Sequence, residues 1–231
     1  MYEGIQYPLR DSLKLAHTQS WEMISSAGAF WTGKERVAIV AEARAAMECP
    51  LCEERKKALS PNQVHGEHWG PGTLPDALID HIHRIRTDPG RMTKSVFEGV
   101  MASGISKEAY IEATSVINAS VIIDTMHRGV GLEPPPLPEP RPGEPSGEIN
   151  ADAVEDGAWI PILDAPKEIS DTGLPAIPNI VRSLGLVPAA GALFFSTFRP
   201  HYALTDIPLS ITQGQAEFVA SRVSALNQCF Y

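Results

Sequence analysis

The chain has 231 residues, 43% of them apolar and 20% charged, which suits one large domain or two small ones around an ordinary core. Its 19 Lys and Arg face 28 Asp and Glu, a formal net charge of −9. That balance excludes the basic stripe of a general nucleic-acid binder, and it disfavours an anionic membrane surface.

The N-terminal stretch MYEGIQYPLRD lacks the basic-then-apolar run of a signal peptide. LVPAAGALFF, the longest mostly apolar stretch, is far shorter than the roughly 20 residues a membrane span needs. A soluble cytoplasmic protein is the expectation. Three cysteines do not make a secreted disulfide framework, so a close pair points to catalysis or metal binding.

Taken in chain order, Thr32-Gly-Lys-Glu35 is a capping-box pattern, and Val37, Ile39, Val40 and Ala43 follow at helical spacing. This helix is expected to end near Glu48, because the residue before a proline avoids the helical region. Pro50 suits the first position of a new helix, which puts Cys49 at or near its N-cap and Cys52 in its first turn. The stretch SPNQVHGEHWGPG reads as a polar, Gly- and Pro-rich loop. Leu74 to Arg86 is amphipathic through Leu78, Ile79, Ile82 and Ile85, and the turn Thr87-Asp88-Pro89-Gly90 ends it. Lys107 to Arg128 contains no Gly or Pro and is apolar nearly all round, which predicts a buried central helix stopped by Gly129.

Seven prolines in residues 132–148 forbid helix and favour an extended connector. Before it nearly everything reads as helix; after it comes an irregular piece, then helical patterns again. Clean alternation never exceeds about five residues, so strand signals are scarce and the predicted fold class is all-α. A first helical repeat over 1–131, a linker over 132–150 and a second repeat over 151–231 follow.

Shifting the chain against itself by 180 residues supports that division. Thr212-Gln-Gly-Gln215 is again a capping-box pattern, with Val219, Val223 and Leu226 behind it, and Cys229 falls on Cys49. Only three identities lie between positions 32 and 49, so the matched cap, length and terminal cysteine carry the reading. A partner for Cys229 is expected at position 232, past Tyr231.

At a helix start the partial positive charge favours a thiolate, and a Cys-x-x-Cys pair can close a disulfide, so one sulfur attacks and the other resolves. Glu42 lies seven residues before Cys49, about two helical turns, and could pass a proton to or from a thiol. Lys56, four after Cys52, could stabilise the thiolate by its charge. Two other readings stay open: inert packing of buried cysteines, and a metal site from Cys49, Cys52, His65 and His68, whose histidines are one residue too close for a two-Cys two-His zinc spacing. His83 adjoins the apolar side of its helix and reads as a hydrogen-bonded core histidine or as a site residue. His81, two before it, cannot share that face. His127 at a helix C-terminus has an electrostatic explanation, and His201 carries no signal.

The stretch WTGKERVAIVAEARAAMECPLCEERKKALSP resembles the alkylhydroperoxidase D-like and carboxymuconolactone decarboxylase-like superfamily. LSITQGQAEFVASRVSALNQCFY resembles its core, and HRIRTDPGRMT with AWIPIL and NIVRSLGLVP resembles its two-repeat, peroxidase-related branch. The resemblance implies a duplicated all-helical fold, usually oligomeric, with thiol-dependent peroxidase or disulfide oxidoreductase chemistry. It implies no cofactor; the expected partners are a small peroxide, a dithiol reductant and further copies of the chain, with no nucleic acid and no membrane. Redox members carry a Glu, eleven intervening residues, Cys-x-x-Cys, then a His four residues on; the second Cys attacks, the first resolves, and Glu and His move protons. Here Val37 occupies the Glu position and Lys56 the His position of the first repeat, with Glu42 as a substitute relay. In the second repeat Glu217 stands twelve before Cys229, while the remaining Cys and His would fall at 232 and 236. The expected catalytic residues are therefore Cys229, Glu217, Cys49, Cys52, Glu42 and His83. The alternatives are a decarboxylase or isomerase acting on a small acidic lactone, in which the cysteines do not matter, and a non-catalytic oligomeric or metal-binding scaffold.

Overall fold

The computed structural model describes residues 1–165, 177–202 and 209–226. Among them every regular element is helical: α1 Asp11–Ser25, α2 Gly33–Ala45, α3 Pro50–Lys57, α4 Asp76–Thr87, α5 Lys94–Ala102, α6 Lys107–Gly129, α7 Asn179–Leu184, α8 Pro188–Phe198 and α9 Gln213–Leu226. One isolated bridge pairs Val154 with Ile162. None of the described helices is long and apolar enough to cross a membrane.

Local chemistry sets the helix starts. At α2 the Thr32 hydroxyl accepts from the Glu35 N–H at 3.3 Å, and the Glu35 carboxylate accepts from the Thr32 N–H at 2.9 Å, so two orphan donors are satisfied. Thr93 and Ser106 cap α5 and α6 in the same way through their hydroxyls. Pro50 and Pro188 sit in the first turns of α3 and α8, where no intrahelical partner for an N–H is needed.

The central helix α6 packs against α8, α2, α4 and α1, as its all-round apolar surface predicts. Ile24, Ile39, Leu78, Ile82, Ile117, Ile123 and Leu193 are fully buried around it. Each contributes about 1.5–3 kcal/mol of burial against exposure. A single main core takes residues from both sides of the proline-rich segment, from Trp21 and Ile39 to Leu186, Val187 and Phe194.

Residues 132–150 are extended, as their prolines dictate, but they lie along the protein rather than bridging a gap. The Trp21 indole donates to the Pro136 carbonyl at 3.0 Å. The N–H groups of Arg141, Ser146 and Gly147 donate to Ser25, Gly28 and Ala29, and that of Asn150 donates to Leu186. The segment is a strap over the end of α1 and the loop before α2.

Helix α9 begins on the second expected cap, with Thr212 and Gln215 exchanging hydrogen bonds. Its packing is another matter. Only Ala216 is buried, while Phe218, Val219, Val223 and Leu226 are 67%, 55%, 50% and 74% exposed.

Candidate functional site

Three pieces of chain meet at the Cys-x-x-Cys pair. Helix α2 ends at Ala45 and tightens into a 3₁₀ turn over Ala46–Glu48 before Cys49, extended at φ −73°, ψ 118°, caps α3. The change of direction is where a residue before proline must leave the helical region. Cys49 and Cys52 are 2% and 4% exposed and form a satellite cluster with Leu51 and Val64. Both are free thiols. α4 lies alongside, and the loop between α3 and α4 folds over the sulfurs.

That loop closes because of two glycines. A Cβ on Gly70 would stand 2.3 Å from Glu42 Oε2, and Gly72 is left-handed at φ +64° with its N–H donating to Glu42 Oε1 at 2.5 Å. Gly66 approaches Leu51 closely. The same fold-over aims the Trp69 N–H at Cys49 Sγ, 3.4 Å away.

Two imidazoles then face the sulfurs through Nδ1. His83 Nδ1 is 3.2 Å from Cys52 Sγ, and its Nε2 is 3.3 Å from Glu42 Oε2. Glu42 and His83 are fully buried. The carboxylate accepts from Nε2, which leaves Nδ1 to accept the Cys52 S–H. Burial first, and the nearby positive His68 second, lower His83 to about 4, so it stands as the neutral base.

His68 has the opposite charge state. Its Nδ1 lies 3.6 Å from Cys49 Sγ and 3.7 Å from Cys52 Sγ, and its Nε2 donates to Asp80 at 2.9 Å. Burial alone would lower it, but Asp80, then the two sulfurs, raise it to about 10. Asp80 is itself clamped by Arg55 at 2.5 Å and Arg84 at 2.7 Å, and stays well below the ordinary carboxyl range despite burial. Burial would also raise the Cys49 thiol. The N–H groups of Trp69 and Cys52, then His68, overcome that and lower it. The two sulfurs have unlike neighbours: Cys49, lowered, lies beside an imidazolium, and Cys52 lies against a neutral imidazole.

A narrow cleft with room of about 10 Å³ reaches Cys52 between Arg55, Pro61, Arg84, Thr87 and Met92, roughly the space of one water. Four ligand atoms, from Cys49, Cys52, His68 and His83, lie within 4.8 Å of one another and could hold a metal ion.

Of the expected site residues, the structure brings together Cys49, Cys52, Glu42 and His83. Glu217 is exposed on α9, hydrogen-bonded to Tyr202 and Gln213. Cys229 lies outside the described residues. His65 is exposed and apart, so the metal-ligand group joins His83, rather than His65, to His68. Val37 is in the core and Lys56 is exposed; the buried cation near the thiols is Arg55. His81 turns the other way from His83, onto Thr114 and Tyr110. His127 hydrogen-bonds the carbonyls of Ile123 and Met1, and His201 meets His17 at 2.6 Å. Sequence reasoning passed over Asp80, Arg55 and Arg84, and gave His68 no part in the relay. The glycines of WGPG were the available signal, since two in three residues mark a close backbone approach.

Comparison of the chain with family models, curated proteins and solved structures finds no match.

Proposed function

We propose that the protein is a thiol-dependent redox enzyme that reduces small hydroperoxides at Cys49 and Cys52 and is reset by a dithiol. The observation that carries this reading is the buried line Glu42–His83–Cys52, which puts a base on one thiol while a second thiol stands beside it. The resemblance of α2 and α3 to the alkylhydroperoxidase D-like superfamily supports it, and so does the matched capping of α2 and α9, which fits the duplicated form of that fold. Oligomerisation belongs to the same reading.

As Cys52 Sγ attacks a peroxide oxygen, its proton passes to His83 Nδ1, with Glu42 holding the ring in the accepting orientation. The O–O bond breaks, Cys52 becomes a sulfenic acid, and the leaving alkoxide takes the proton to become an alcohol. Cys49 thiolate then attacks the Cys52 sulfur; the S–O bond breaks and hydroxide leaves as water after protonation. One hydroperoxide is reduced and two thiols become a disulfide. The narrow cleft suits a small oxidant, and an external dithiol restores the thiols by exchange.

The test uses metal-free reduced protein in chelator. Wild type should lose both thiols of the pair per peroxide consumed, Cys52→Ser should slow peroxide consumption by at least about 100-fold, and Cys49→Ser should stop at a sulfenic acid trappable by dimedone. Unchanged consumption in both variants sinks the reading.

A further inference from the structure

The pair of histidines is unusual in one respect: each presents Nδ1 to the sulfurs and gives Nε2 to a carboxylate, His83 to Glu42 and His68 to Asp80. A single proton relay needs one such arm. Metal-ligating histidines need it at every ring, because the outer carboxylate fixes the tautomer and turns the other nitrogen toward the ion.

The distances agree. With Zn–S about 2.3 Å and Zn–N about 2.0–2.1 Å, a tetrahedral ion separates its sulfur and nitrogen ligands by about 3.5 Å. Three of the four sulfur–nitrogen distances at the site are 3.2, 3.6 and 3.7 Å, and the fourth, Cys49 to His83, lies within 4.8 Å. All four ligand atoms fit within 4.8 Å, and every ligand side chain is held: Cys49 and Cys52 by the start of α3, His83 by α4, and His68 by Asp80 with its two arginines. His68 Nδ1 is nearly equidistant from both sulfurs, at separations that also suit the edges of a tetrahedron. Two thiolates would balance a divalent charge, and thiolate with imidazole selects zinc over magnesium or calcium.

We propose that Cys49, Cys52, His68 and His83 form a tetrahedral site for a thiophilic divalent cation, zinc foremost, which occupies the reduced protein and leaves when the two cysteines join. The site stands on geometry alone; its emptying by oxidation rests on the peroxidase reading. Two zinc-bound thiolates give two electrons to a hydroperoxide, one S–S bond forms, the O–O bond breaks, two protons are taken up to make alcohol and water, and the divalent ion goes to solvent. Zinc-bound thiolates react with peroxide more slowly than free ones, so the ion is a guard on the thiols that oxidation drives out rather than a participant in turnover.

The experiment loads reduced, chelator-stripped full chain with Zn²⁺ and, separately, Co²⁺. Native mass spectrometry should show one equivalent of zinc, and cobalt should give the absorption of a tetrahedral thiolate site. Asp80→Asn should weaken binding by about 10–100-fold, His68→Gln and Cys49→Ser by more, and His65→Gln not at all. Zinc should also protect wild-type thiols from iodoacetamide, a measurement that needs no variant to fold. No binding at micromolar metal, or binding unchanged in Cys49→Ser, overturns the site. Adding peroxide to the zinc-loaded protein then reads release: one equivalent of ion should appear as two thiols disappear. Metal that stays bound while metal-free protein still consumes peroxide overturns the release and leaves the peroxidase reading intact.

Discussion

Helices α2 and α9 start alike and end in different worlds. Both open on a threonine whose side chain and third-residue partner exchange hydrogen bonds with the backbone, and both carry apolar residues behind that cap. In α2 those residues, Val37, Ile39 and Val40, are at most 8% exposed. In α9 the corresponding face is open. Glu42 on α2 is buried against His83, whereas Glu217 on α9 stands at the surface with Tyr202 and Gln213. A cap decides where a helix begins; what packs on it decides whether its side chains acquire chemistry.

The sharpest way to break this contrast is to truncate both faces. Ile39→Ala should cost about 2–5 kcal/mol, as large-to-small changes in packed cores do. Val223→Ala should stay within about 0.5 kcal/mol. Equal shifts in urea midpoint would mean that α9 is packed as firmly as α2. Next comes the carboxylate: Glu42→Gln should slow peroxide-driven thiol loss by about tenfold and move its pH profile, while Glu217→Gln should leave both alone. A matching loss in Glu217→Gln would restore the surface helix as a working half. Removing the caps separates the pair more finely. Thr32→Ala should cost about 1 kcal/mol of global stability, whereas Thr212→Ala should lower only the helical content of α9 by circular dichroism.

A separate effect is in acid, where α1 meets the residues after α8. His17 sits between Tyr2 and His201, with His127 stacked on Tyr2 and Arg10 bonded to the neighbouring Pro200 carbonyl. Burial first, then His201 and His127, lower His17 from 6.5 to about 3, and His201 is lowered too. A histidine lowered by folding gives its full stability above its unfolded value. That stability is lost as pH falls from 6.5 toward about 3, because the unfolded chain takes up the proton first. Denaturation midpoints should therefore drop over that window, and less steeply in His17→Gln; an identical slope in the variant would place the acid sensitivity elsewhere.

Much of this was legible in the residues. The caps at Thr32 and Thr212, the central helix through Gly129, and Cys49 at a helix start all follow from local rules about orphan N–H groups and proline, so they need no knowledge of the rest of the chain. Glu42 was legible as a relay candidate, but it reaches Cys52 through His83 rather than along one helix face, since α2 ends at Ala45. His68 was legible by its spacing as a metal ligand with Cys49 and Cys52, but its tie to Asp80 was not, because a loop residue reaches its partner through a fold-over that no period encodes. The same holds for Asp80 with Arg55 and Arg84, which look like ordinary surface charges until α3 and α4 lie side by side. The exposure of α9 was illegible for a complementary reason: an apolar face states what a helix can cover, and only the tertiary arrangement states whether anything is there.

The proline strap over α1 bears on how the unfolded chain is brought together. Seven of the residues in 132–148 are proline, each with its φ already restricted, so this stretch surrenders little chain freedom when it lies down. It runs on from α6 to Asn150, whose N–H bonds the Leu186 carbonyl, and so ties the strap to the second half of the core. Ordering it costs less than ordering a glycine-rich tether of equal length would, and its backbone bonds to Ser25, Gly28, Ala29 and Leu186 reward the closure. The segment that looks most like a joint in the sequence is thus bonded to both halves of the core.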